Sequence, residues 1–60
     1  MHFAIASDNT RAAVEKVRAA GYEITTEPGE ADLGAFNVIY AFFKGPSGEL
    51  VEFFQTVPKN

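Results

Sequence analysis

A chain of 60 residues is at most one domain, and a chain of this size buries only about 60% of the surface that it exposes when unfolded. It has no cysteine, which excludes a disulfide framework and a thiolate zinc site and favours an intracellular setting. Its net charge is −3 and its five basic residues are scattered, which excludes the basic stripe of a nucleic-acid-binding protein.

The apolar residues form no membrane-spanning run, yet they are abundant. No run approaches the roughly 20 residues that a membrane span needs, and no signal peptide is visible, so we predict a cytoplasmic protein. The chain is nevertheless 47% hydrophobic, with six Phe and two Tyr, which is rich for so small a core. Part of this apolar surface is expected to be covered by a partner, and we predict self-association.

The first two predicted elements are a short strand and a helix. The strand spans His2–Ala6, and the helix spans residues 11–20. Asp8 is the expected N-cap, because its side-chain oxygen can accept hydrogen bonds from first-turn amides. Gly21 is the expected residue after the helix, since glycine adopts the left-handed conformation at low cost. One face of the first strand and one face of the last are expected to pack under the helix, which gives the set Phe3, Ile5, Val51, Phe53, Val14 and Val17.

The middle of the chain predicts two strands with a loop between them. Residues 22–26 are β-prone, and residues 27–34 contain the turn-forming pair Pro28 and Gly29, so this second segment is expected to be a loop. Residues 35–44 form the strongest strand in the sequence. Because both of its faces are largely apolar, we expect this strand to be central and covered on both sides.

The last part of the chain predicts a turn and a fourth strand. Residues 45–48 read Gly-Pro-Ser-Gly, a turn in which Gly48 suits a positive φ, and residues 49–56 form the strand that Pro58 ends. The order is therefore β-α-β-β-β, which predicts an α+β fold with one helix on one face of a four-stranded mixed sheet. The other face would carry His2, Ala4, Ala6, Leu50, Glu52 and Phe54. Two ionisable groups in an uncovered apolar face are typical of a pocket or an interface.

Three segments of the chain resemble a known family. They are His2-Phe3-Ala4-Ile5, the start of the helix at residues 8–14, and the ending at residues 45–54. In this order, a histidine in the first strand, a Gly-Pro-x-Gly turn and a glutamate four residues after its second glycine resemble one module of the vicinal oxygen chelate superfamily. That superfamily contains glyoxalase I, extradiol dioxygenases, and fosfomycin- and bleomycin-resistance proteins. The resemblance covers almost the whole chain, and its ending looks like the C-terminal half of a two-module protein.

The resemblance implies a metal site shared between two modules. In the family, two βαβββ modules pair into a U-shaped, eight-stranded sheet around one metal, so residues 1–60 would be one half-module. The resemblance implies that His2 and Glu52 are the metal ligands. A two-fold homodimer would bring two copies of each to the axis. Two imidazoles and two carboxylates suit Ni²⁺, Zn²⁺, Fe²⁺ or Mn²⁺.

The function implied is that of a glyoxalase-like, metal-dependent isomerase or lyase acting on a small vicinal-oxygen substrate. Glu52 would then be the catalytic base, and Phe36, Tyr40 and Phe54 would line the substrate pocket. Two alternatives stay open. In the first, the chain would be a non-catalytic ligand-binding module of the bleomycin-resistance type. In the second, it would be an excised or designed half-domain with no activity.

The candidate residues also have plainer interpretations. His2 would be an exposed residue in a frayed terminus, and Glu52 would be a salt-bridge partner or a charge that protects a sheet edge. Phe36, Tyr40 and Phe54 would pack in a core or an interface. The mode of pairing is open as well, because two modules can lie side by side or exchange strands with residues 27–34 as the hinge.

Overall fold

The computed structural model describes residues 2–59, apart from the side chain of His2. In chain order, its elements are β1 (His2–Ala6), α1 (Thr10–Ala19), β2 (Ile24–Asp32), β3 (Phe36–Lys44) and β4 (Leu50–Pro58). This order confirms the α+β class and the βαβββ arrangement that the sequence predicts. Residues 2–59 contain one helix, α1. It is neither long enough nor apolar enough to cross a membrane.

The N-cap residue of α1 differs from the one that the sequence predicts. Asn9 is the N-cap, and its Oδ1 accepts a hydrogen bond from the Ala12 N–H at 3.1 Å. The prediction of Asp8 is therefore wrong by one residue. A second contact fixes the same end, because Gln55 Oε1 on β4 accepts from the Thr10 N–H at 2.9 Å. At the other end, Gly21 has a φ of 94°, which confirms its predicted role.

The four strands form one mixed sheet in the order β1-β4-β3-β2. β1 pairs with β4 in parallel, whereas the pairs β4–β3 and β3–β2 are antiparallel. β3 thus lies between two strands, which confirms its predicted central position. Within residues 2–59, α1 covers one of its faces, where Ile39, Ala41 and Phe43 are buried. Val38, Tyr40 and Phe42 on the other face are half-buried, so cover on both sides stays a prediction.

The core lies between α1 and the sheet. Val14 is 1% exposed, and the residues that pack with it are Ala41, Phe43, Val51 and Phe53. The rings of Phe43 and Phe53 stack with their centroids 5.3 Å apart. Burying aliphatic and aromatic side chains in this way supplies most of the favourable free energy of folding in a small domain. The predicted packing of Val51 and Phe53 under the helix is therefore confirmed.

The same prediction is wrong for β1. α1 lies over β2, β3 and β4, and in the described part of the chain it makes no close backbone approach to β1. Phe3 and Ile5 consequently remain 46% and 45% exposed. The ten residues of α1 are too short and lie too far across the sheet to cover the edge strand as well.

The segment predicted to be a loop is a strand. β2 continues through Pro28 and Gly29, and shifts of its register with β3 flank Thr26. β2 is an edge strand, where a proline is tolerated because its missing N–H is not needed by a neighbour. The connection to β3 comprises only residues 33–35, closed by Asp32 Oδ1, which accepts from the Gly34 N–H at 2.8 Å. The predicted hinge over residues 27–34 is therefore wrong, and β4 likewise includes Pro58 instead of ending before it.

Candidate functional site

The side of the sheet opposite α1 carries the predicted site residues. Successive residues of a strand point to opposite faces, so the residues between the core positions belong to this side. We call it the open face, because within residues 2–59 no helix or strand lies over it. On β1, β3 and β4 it comprises Ala4, Ala6, Phe36, Val38, Tyr40, Phe42, Lys44, Leu50, Glu52, Phe54, Thr56 and Pro58.

Glu52 lies in the middle of the open face. Its backbone is beside Ala4 of β1 on one side and beside Phe42 of β3 on the other. Leu50 and Phe54 flank it along β4 on the same face, and the Glu52 side chain is half-buried. Partial burial of a carboxylate among apolar groups is costly unless the group is paired or ligated, so this is a chemically significant position for an acid.

Two of the three predicted substrate-binding residues lie together. Tyr40 and Phe54 are direct cross-strand partners on β3 and β4. The Tyr40 ring lies across the backbone of Gly29, since a Cβ atom added there would be 2.8 Å from Tyr40 Oη and 2.9 Å from Cζ. Because Gly29 has no side chain, the Tyr40 ring can pack directly against the backbone of β2. The result is an aromatic platform next to Glu52.

Phe36 lies apart from this platform. It pairs with Pro58 at the far end of β3 and is 37% exposed. Four residues of strand separate it from Tyr40, a distance of about 13 Å along the sheet. Its place beside Glu52 is taken by Phe42, which the sequence analysis did not assign to the pocket. The sequence did contain a signal for this neighbour. The length of a hairpin connection sets the register of its two strands, and the turn at residues 45–48 therefore indicates that Phe42 pairs with Glu52.

His2 is placed by its backbone alone. The register sets it beside Leu50, two residues before the Ala4 that neighbours Glu52. Its side chain lies outside the described part of the structure, so its role as a ligand stays a prediction. Among the described residues no group of three or more His, Cys, Asp or Glu side chains is arranged to hold a metal. The role of Glu52 as a metal ligand therefore also stays a prediction.

A comparison with protein families decides the assignment. The family model for the Glyoxalase/Bleomycin resistance protein/Dioxygenase superfamily matches residues 1–53, which extends from before β1 to just beyond Glu52. The chain belongs to this superfamily. No curated protein matches the sequence. Members of the superfamily often bind divalent metals, and their modules typically pair. The resemblance drawn from the sequence is therefore confirmed as one βαβββ module.

Proposed function

We propose that this chain is half of a metal-dependent isomerase or lyase that acts on a small vicinal-oxygen substrate. The observation that carries the proposal is the position of Glu52, a half-buried carboxylate in the middle of the open face between Leu50 and Phe54. The complete site would form where the open faces of two modules meet. Superfamily membership supports the pairing, and an open apolar face is the kind of surface that pairing would bury.

Each residue has a defined role in this proposal. His2 and Glu52 of both modules would hold a divalent ion, with Ni²⁺, Zn²⁺, Fe²⁺ and Mn²⁺ all suited to imidazole and carboxylate ligands. The ion, when bound, would supply Lewis-acid polarisation of two adjacent substrate oxygens. One of the two Glu52 carboxylates would leave the ligand set and accept a proton from the substrate as the catalytic base. Tyr40 and Phe54 would form the apolar wall that orients the substrate and excludes water, with Phe36 farther out.

The partner in this proposal is a second copy of the chain in the cytoplasm. Side-by-side pairing is favoured over strand exchange, because residues 27–32 belong to β2 and only residues 33–35 connect it to β3. Exchange at that point would require a strand that pairs with β3 along most of its length to separate from it. Side-by-side pairing leaves these hydrogen bonds in place.

Calorimetric titration of the metal-stripped protein with NiCl₂ tests the metal site. We expect an uptake close to one Ni²⁺ per two chains, and we expect Glu52→Gln to abolish it because the amide is a much weaker ligand than the carboxylate. Glu30→Gln is the matched control: Glu30 is exposed and lies on β2 at a position of the helix-side face. Unchanged Ni²⁺ affinity in Glu52→Gln, or no uptake by the unmodified chain, would contradict the proposal.

The aromatic platform favours a second candidate, the non-catalytic binding module. Tyr40 and Phe54 are paired across two strands, and Tyr40 is seated on Gly29, so a planar ligand would meet a surface that is already formed. A rise in the melting temperature on addition of metal-free bleomycin, with EDTA present, would support this candidate. If the chain dimerises but takes up neither metal nor ligand, the result would favour the remaining alternative, a half-domain without activity.

A further inference from the structure

A groove of about 460 Å³ lies on the helix side of the sheet, away from the open face. It exists because α1 does not extend over β1, which leaves a channel between the helix and the edge strand. Its walls and floor are formed chiefly by Phe3, Ile5, Val17, Tyr22, Phe43 and Val51. The volume lies within the range of about 300–1,000 Å³ that is typical of small-molecule sites.

One end of the groove carries a single charge. Two of the lining residues have ionisable side chains, Glu49 and Tyr22, and the Glu49 carboxylate is the charged one at neutral pH. Its Oε1 accepts from the Ser47 N–H at 2.9 Å, and its side chain lies flat over Gly45, where an added Cβ would be 2.6 Å from Glu49 Cδ. Within residues 2–59, no lysine or arginine forms an ion pair with Glu49. Within the described residues, the Glu49 carboxylate therefore lines one end of an apolar channel without a lysine or arginine paired to it.

The walls add an aromatic component. The Tyr22 and Phe43 rings are tilted by 50° with their centroids 6.0 Å apart, and Tyr22 remains 38% exposed. Aromatic faces attract flat rings by stacking or edge contacts, and they attract cations through their quadrupole. Charge and shape thus select the same class of molecule, a flat apolar ring that carries a positive group.

We propose that this groove binds a small aromatic amine. The ring would lie over Phe43 and Val51 beneath Val17, and the ammonium group would lie near the Glu49 carboxylate. This site lies across the sheet from Glu52 and uses none of the residues assigned to the proposed metal centre. The result of the Ni²⁺ titration therefore neither supports nor contradicts this second proposal.

Three probes of nearly equal shape test the proposal: tryptamine, the neutral 3-ethylindole and the anionic indole-3-propionate. Binding is followed by NMR through the methyl signals of Ile5, Val17 and Val51, with the amides of Tyr40 and Phe54 as reporters of the open face. We expect tryptamine to shift the three methyl signals and not the two amides. We also expect indole-3-propionate to bind more weakly than 3-ethylindole, because Glu49 repels its carboxylate.

Glu49→Gln isolates the charge. The glutamine Oε1 can still accept from the Ser47 N–H, so the turn keeps its hydrogen bond. We expect the tryptamine affinity to fall about fivefold and the 3-ethylindole affinity to stay unchanged, since a partly exposed ion pair contributes at about this level. Glu30→Gln, at the far end of β2, should leave both affinities unchanged.

Three outcomes would overturn the proposal. The first is equal affinity for tryptamine and indole-3-propionate. The second is a set of tryptamine shifts centred on Tyr40 and Phe54, which would place the ligand on the open face. The third is a change of the Ile5 and Val51 signals on dilution of the protein without a probe, which would show that a second copy of the chain occupies the groove.

Discussion

Asn9 sets the start of α1 through one side-chain oxygen. Ser7 and Asn9 form consecutive contacts: the Asn9 N–H donates to Ser7 Oγ at 3.1 Å, and Asn9 Oδ1 accepts from the Ala12 N–H at the same distance. The first N–H groups of a helix have no partner within the helix, so each of these contacts satisfies a group that water would otherwise have to reach. Asp8, one residue earlier, caps no amide of the helix in the described structure.

Replacing the cap should therefore cost stability, and replacing its neighbour should not. We expect Asn9→Ala to lower the free energy of unfolding by about 1 kcal/mol, the usual cost of losing a side-chain N-cap. Asp8→Ala is the matched control and should change it by less than about 0.5 kcal/mol, as expected for an exposed site without such a contact. Urea unfolding followed by circular dichroism at 222 nm measures both. A larger loss for Asp8→Ala would mean that the helix begins one residue earlier.

The sequence predicts a cap at this point, but the choice of Asp8 is wrong and Asn9 is the cap. Asp8 and Asn9 are equally good capping residues by chemistry. The choice is made by Gln55, which accepts from the Thr10 N–H and holds the first helical residue against β4. Gln55 is 45 positions away in the chain, so a local pattern carries no information about it.

At the scale of elements, an ion pair joins α1 to β2. Arg18 Nη1 donates to Glu27 Oε2 at 3.0 Å, and Arg18 Nη2 donates to Glu27 Oε1 at 2.6 Å. Arg18 Nη2 also lies 3.3 Å from Glu15 Oε2. The hydrogen bonds from Arg18 lower the pKa of the Glu27 carboxyl below its ordinary value of 4.5. The same bonds raise the pKa of Arg18, with Glu27 as the larger cause and Glu15 as the smaller.

This shift predicts a pH dependence of stability. Because the folded-state pKa of Glu27 lies below its unfolded value, the contribution is fully present above pH 4.5 and is lost as the pH falls through the folded value. We expect the unfolding free energies of the unmodified chain and of Glu27→Gln to differ by a constant amount near neutral pH. The difference should shrink toward zero below pH 4.5. Urea unfolding over a pH series measures it.

The matched control for this prediction removes the other partner. In an Arg18→Gln background, Glu27→Gln should have no pH-dependent effect, because the cause of the pKa shift is gone. A pH-dependent difference that persists in that background would assign the effect to the carboxyl alone. Raising the salt concentration should also reduce the contribution, since both side chains are substantially exposed.

β2 shows why some elements are harder to predict than others. The order of elements and the alternation of β3 and β4 follow from local patterns, and these predictions are confirmed. Pro28 and Gly29 predict a break, but both are accommodated by neighbours that are distant in the sequence. Pro28 lies on a strand whose outer edge needs no donor, and Gly29 lies beneath the Tyr40 ring.

The candidate site follows the same division. The shared face of Glu52 and Phe54 was predictable, because alternation along a strand is a local property. The place of Tyr40 beside Phe54 and of Phe42 beside Glu52 depends on the pairing register of β3 with β4. The side chain of His2 lies outside the described residues, and the roles of His2, Glu52 and the aromatic residues stay predictions.

At the scale of the molecule, the open face is the surface that a second module would cover. Leu50 lies on this face and is 39% exposed, whereas Leu33 lies in the connection between β2 and β3 and is 59% exposed. The two leucines therefore offer the same substitution at two places, one inside the proposed interface and one outside it.

We expect Leu50→Lys to weaken dimerisation at least about tenfold, because pairing would bury an ammonium group without a partner. Leu33→Lys should leave the dimer dissociation constant unchanged. Sedimentation equilibrium measures both constants, and circular dichroism shows whether each variant keeps its fold. Equal constants for the two variants, or a monomer at every concentration of the unmodified chain, would contradict pairing through the open face.

The parallel pairing of β1 with β4 has a consequence for how the sheet is made. A ribosome produces β1 first and β4 last, and in the described structure β4 is the strand that β1 pairs with. The hairpins of β2, β3 and β4 join neighbours along the chain, whereas Phe3 can pair beside Val51 only after β2, β3 and the start of β4 have been synthesised. Until β4 has been synthesised, the apolar side chains of β1 lack the strand beside which they lie in the folded module.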